Sequence, residues 1–68
     1  MTNWERIKRL AGPNPQWPNH QAYCFCNLVR AKPTTEWLQQ FSQEAASQGL
    51  EATTFGGHLY VLVPNESP

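Results

Sequence analysis

Two cysteines and two histidines carry the widest chemistry in this chain. Cys24 and Cys26 stand two apart in the run QAYCFCNLVR, with His20 four residues upstream of Cys24 and His58 far downstream. Thiolate sulfur and imidazole nitrogen are the common zinc donors. Residues two apart on a strand share a face, so both thiols could meet one ion. Structural zinc sites, however, draw their close-spaced ligands from turns and knuckles. Free cysteine also packs well as a small hydrophobe. A bridge between Cys24 and Cys26 themselves would be strained, because positions i and i+2 of one strand lie too far apart. The reading is therefore reduced, buried, metal-free cysteines. A metal set of Cys24, Cys26, His20 and His58 is the alternative, and a redox pair a further one. No cofactor is expected.

Other catalytic constellations are missing from the pattern. Nucleophilic catalysis needs a nucleophile, a base and an orienting group. Ser42, Ser47 and Ser67 fall on a helix surface or in the tail, and nothing in the sequence supplies a partner. Paired-carboxylate chemistry needs two acids across a cleft, and the glutamates are scattered. Gly56-Gly57 is not followed by a helix, so it does not read as a phosphate loop. The chain is not expected to be an enzyme.

The elements that would hold these residues are legible in outline. Asn3 reads as an N-cap, followed by Trp4, Ile7, Leu10 and Ala11 at helical spacing, with Glu5 four residues before Arg9. Gly12 and Pro13 stop this helix. Residues 12–20, GPNPQWPNH, form a stiff Pro-rich connector with Trp17 at its middle. That tryptophan reads either as an anchor for the loop or as a binding residue. Residues 21–30 are rich in aromatic and β-branched types and predict a strand ended by Pro33. Thr34 caps a helix over residues 35–48, whose apolar stripe is Trp37, Leu38, Phe41 and Ala45, with Gly49 at its end. Residues 50–55 and 58–63 flank Gly56-Gly57 as a hairpin. Residues 64–68 predict a frayed tail.

The expected fold is a small α+β domain over residues 1–68, in the order α-β-α-β-β. It divides into an N-terminal helix (1–11), the connector (12–20), a β-α-β-β unit (21–63) and the tail. The helices pack on a three-stranded antiparallel sheet. The two-residue turn fixes the hairpin register: Phe55 with His58, Thr53 with Tyr60, Glu51 with Leu62. Residues 58–63 are apolar on both faces and belong at the centre of the sheet. The small set Ala22, Cys24, Cys26 and Leu28 is expected to lie under a helix. Tyr23, Phe25, Phe55, Tyr60 and Leu62 then share the opposite face. That face exceeds what a monomer usually leaves exposed. The first helix, a second copy of the chain or a ligand is expected to cover it.

The chain has 68 residues, 12% aromatic and 15% charged, with a formal net charge of zero. A domain this small buries only about 60% of its unfolded surface and gains from a partner. All five cations, Arg6, Lys8, Arg9, Arg30 and Lys32, precede residue 33, whereas four of five acids follow it. They are too spread to form a basic run. No apolar run nears the roughly 20 residues of a membrane span, and Met1 to Arg6 carry no signal-peptide core. The expected compartment is the cytoplasm.

The expected role is non-enzymatic protein binding by a small regulator or inhibitor, of the kind phages and mobile elements encode. Tyr23, Phe25, Phe55, Tyr60, Leu62 and Trp17 are the candidate partner-binding residues, and a homodimer is one form of partner. The alternative is single-stranded nucleic acid on the aromatic sheet face, or a winged-helix-like grip on DNA. Zero net charge and an acidic second helix argue against both nucleic-acid readings.

Overall fold

The structure, a computed structural model, describes residues 3–65. Helix α1 (Asn3–Leu10) is followed by a two-residue strand, β1 (Gly12–Pro13), and then by β2 (His20–Asn27). A single helical turn, α2 (Leu28–Ala31), leads to α3 (Thr35–Ser47) and the hairpin of β3 (Glu51–Phe55) and β4 (His58–Pro64). Asn3, expected as a cap, is itself helical.

The α+β class holds, with a four-stranded antiparallel sheet in place of the three strands expected. Its order is β1-β2-β4-β3. The added strand lies in the Pro-rich connector, where Gly12 pairs with Ala22 and Pro13 with Gln21. A proline is tolerated there because β1 is an edge strand and its missing N–H breaks no inner ladder. The apolar β4 is central as expected, and Val61 is fully buried.

The hairpin keeps the expected register, from Phe55 with His58 to Glu51 with Leu62. Gly56 and Gly57 have φ of 59° and 79°. Two consecutive positive φ values make the tight turn that matches strand twist, and glycine adopts them without a Cβ penalty. At α3, the Thr34 side chain accepts a 3.0 Å hydrogen bond from the Trp37 N–H. Gly49 ends the helix at φ 74°.

The first long strand departs from its reading twice. It ends at Asn27 rather than residue 30, because the Asn27 Oδ1 accepts from the N–H groups of Val29 and Arg30 at 2.9 and 3.2 Å. That side chain caps α2 and takes the backbone out of the sheet. A β-bulge also interrupts β2. Cys24 pairs with Tyr60 and Cys26 with Leu59, leaving Phe25 as the extra residue. Directly paired residues share a face and neighbours on one strand alternate. Since Tyr60 and Leu59 are neighbours on β4, Cys24 and Cys26 lie on opposite faces.

Both long helices pack on one face of the sheet. The core there joins Ile7 of α1, Phe41 and Ala45 of α3, Leu50, and Leu59 and Val61 of β4. Tyr23, paired with Val61, packs against the same core, as does Cys26. Phe25 reaches the same side, with its ring centroid 4.7 Å from that of Phe41. The expected division of the strand is therefore corrected: Tyr23 and Phe25 face the helices, and Cys24 does not. The first helix does not cover the second face. Trp17 covers part of it, from the connector. Its ring lies 5.0 Å from Tyr60 and 5.8 Å from Phe55. Leu62, on that face, is buried.

The first two residues of the expected tail are described. Pro64 belongs to β4, and the Asn65 side chain donates to the Pro18 carbonyl at 3.4 Å. Residues 66–68 lie outside the described part. Among the described residues, no helix is long and apolar enough to cross a membrane.

Candidate functional site

The Cys and His residues are not brought together as a set of four. Cys24 is exposed, with its Sγ 3.8 Å from the Nδ1 of His58. Cys26 faces the helix-side core, and His20 sits at the far end of β2 opposite Pro64. Among the described residues, no three His, Cys, Asp or Glu side chains converge. The expected burial of both thiols is corrected by the bulge, which sends one sulfur outward. Burial pushes the Cys26 thiol above its ordinary titration range, and the neighbouring Cys24 adds to the shift. Cys24 and His58 make a thiol–imidazole contact, and Asn27 beside them is engaged in its cap.

The six residues expected to form one partner surface are divided. Trp17, Phe55, Tyr60 and Leu62 share the face away from the helices. Leu62 is shut in, and Tyr60 is partly covered by Trp17. Phe55 keeps 47% of its surface exposed. Tyr23 and Phe25 lie on the helix side, where Tyr23 is half-buried and Phe25 opens to solvent at its rim.

Phe25 there joins a cluster that pattern reading assigned to the core alone. Phe41, nearly buried, is its floor. Trp4 of α1 and Trp37 of α3 each place a ring centroid 5.1 Å from Phe41, and Phe25 stands 6.2 Å from Trp37. Trp37 and Phe41 are close to parallel, at 16°, and stacked on one another. Each such ring pair contributes about 0.5–1.5 kcal/mol beyond its buried area. Yet Trp37 and Phe25 remain 39% and 38% exposed. The bulge explains why: the extra residue swings Phe25 out along the helix side, where it meets Trp37 in the first turn of α3.

Clefts open on both sides of the Phe25–Trp37 ridge. One, about 220 Å³, runs between α1 and α3 over Phe41, with Trp4 as its far wall and Glu44 and Gln40 on its rim. Glu44 is the one charged residue on that lining among the described residues. Three positions after Phe41 puts it on the same side of the helix. The other cleft, about 420 Å³, lies between Cys26 and the 31–34 turn and carries Lys32. Lys32 holds a left-handed φ of 46° as it closes α2, with its N–H bonded to the Leu28 carbonyl. A non-glycine residue there costs about 1–2 kcal/mol, and such outliers cluster at functional sites. The ridge thus separates a carboxylate from an ammonium.

The sequence signal for this cluster was the pair Trp37 and Phe41, four apart and both large. Their exposure depends on Phe25, whose direction no local pattern encodes. No known protein family, curated protein or solved structure matches the chain.

Proposed function

We propose that this chain is a non-enzymatic protein-binding module, a small regulator or inhibitor that docks through the ridge of Phe25 and Trp37 and its two clefts. The observation that carries the reading is the exposure of these two rings while they pack on each other and on Phe41. Aromatic side chains held rigid yet open to solvent are the types that dominate binding hot spots. Opposite charges on the two rims would fix the orientation of a partner more than its affinity.

The aromatic platform that a single nucleic-acid strand would need is divided between two faces, with Trp17 lying over Tyr60. The α3 helix holds Glu36 and Glu44 and no Lys or Arg, which gives a groove-binding helix nothing to set against phosphates.

The test is capture of partners from native cells by the tagged chain, compared with Trp37→Ala and Phe25→Ala. Both variants should keep the far-ultraviolet circular dichroism of the parent and lose the co-purifying proteins. Retention of the same proteins by both folded variants would refute the reading.

A further inference from the structure

We infer that the cleft rimmed by Glu44 receives a basic side chain of the protein partner, arginine in particular; this rests on the protein-binding reading above. Three observations converge. The first is the ring arrangement. Trp4, Phe25 and Trp37 stand around Phe41 with every centroid within 4.7–5.1 Å of its own. A group seated over that floor lies within reach of several π faces at once. Cations are attracted to such faces within about 6 Å of a ring centroid, tryptophan being the strongest.

The second is charge. Among the described residues, the lining holds one carboxylate, Glu44, and no Lys or Arg. Throughout α3 the only charged side chains are Glu36 and Glu44. The cations of α1, Arg6, Lys8 and Arg9, are not on the lining. A partner's cation would meet the negative faces of the rings and a carboxylate.

The third is size. The cleft, about 220 Å³, is smaller than the roughly 300–1,000 Å³ of sites that enclose a whole small molecule. It suits one side chain that enters from another surface. A guanidinium is planar, less strongly hydrated than an ammonium, stacks on indole and offers a fork of donors to a carboxylate. Trp37, held nearly parallel to Phe41 yet 39% exposed, provides the indole for that stacking.

The experiment follows the tryptophan indole N–H resonances of the full chain while blocked Gly-Arg-Gly peptide is added into the millimolar range. Its citrulline counterpart, neutral and nearly isosteric, is the control. The resonances of Trp4 and Trp37 should move, and that of Trp17 should not. Binding should weaken roughly fivefold to tenfold with citrulline or with Glu44→Gln, the scale of one cation–π contact plus one exposed ion pair. Equal binding of the two peptides, indifference to Glu44→Gln, or no movement of Trp4 and Trp37 would overturn the inference. If that happens while Trp37→Ala still abolishes partner capture, protein binding at the ridge stands and only the cationic occupant falls. If Trp37→Ala leaves capture intact, the protein-binding reading itself falls.

Discussion

Cys24 and Cys26 are two positions apart on one strand, and their thiols lie on opposite faces of the sheet. The bulge at Phe25 is the cause, since it pairs Cys24 with Tyr60 and Cys26 with Leu59. One sulfur is exposed beside His58, and the other packs against the core.

The two thiols should therefore react at different rates. Cys26 is held above the ordinary thiol range by burial and by its neighbour, so less of it is thiolate at any given pH. Iodoacetamide at mildly alkaline pH should label Cys24 first, as read by mass spectrometry of Cys24→Ser and Cys26→Ser variants. Equal labelling rates would show that the strand is not bulged as described.

The same shift has a stability consequence of definite sign. The folded thiol of Cys26 is raised above its unfolded value, ordinarily about 8.5. Its contribution is complete below that unfolded value and declines as pH rises toward and through the folded one. Urea midpoints should fall between neutral pH and the alkaline side of the thiol range. Cys26→Ser should flatten part of that fall, and an unchanged slope would count against burial of this sulfur.

Trp17 should be a structural anchor. It lies against Tyr60 and Phe55 and closes the face on which Leu62 is buried. Full truncation of a buried Trp costs about 3–5 kcal/mol, and a half-buried one less. A core of this size rarely supplies more than about 3–5 kcal/mol, so Trp17→Ala should bring the domain close to unfolding at room temperature. An unchanged melting temperature would mean that the connector rides loosely and that the Phe55–Tyr60 face is available to a partner.

Thr34→Ala should remove the cap of α3, whose hydroxyl accepts from the Trp37 N–H. The expected loss is about 1 kcal/mol, or a drop of roughly 4–8 °C in Tm for a domain this small. Thr34→Ser should restore most of it. If serine fails to rescue, the effect comes from the methyl group and not from the cap.

Deleting Phe25 should leave a folded sheet. The deletion places Cys24 and Cys26 as neighbours against Tyr60 and Leu59, which are neighbours already. What is lost is the wall of the cleft and its ring contacts with Phe41 and Trp37, each worth about 0.5–1.5 kcal/mol. Amide chemical shifts of β4 should be largely kept. Their collapse would show that the bulge is required by the fold itself.

What could be read from the sequence was set by local chemistry. Gly56-Gly57 announced a two-residue turn, and that turn alone determined which residues of the hairpin face each other. Thr34 and Gly49 bounded α3 because capping is decided within one helical turn. The bulge was not legible, because an extra residue is defined by the partner strand and Phe25 has neither glycine's freedom nor proline's rigidity to mark it. Tyr23, Cys24 and Phe25 were assigned to the wrong face in consequence, whereas Cys26, beyond the bulge, lies under the helices as expected. Asn27 was a readable cap in type, but it was hidden inside a run of strand-forming residues. The candidate site was legible only as its parts. Trp37 and Phe41 were seen as a stripe, and their meeting with Trp4 and Phe25 joins three elements that are distant in sequence.

The short β1 leaves the outer edge of β2 unpaired beyond Ala22 among the described strands. An exposed edge invites another molecule to add a strand, and repeated addition leads to filaments. The bulge at Phe25 interrupts the regular ladder within that stretch of β2. The irregularity that turns an aromatic ring toward the cleft therefore also makes this stretch of edge a poor template for an added strand. A variant straightened at Phe25 should present a regular edge there, and turbidity rising on storage above that of the parent would reveal it before any change in fold.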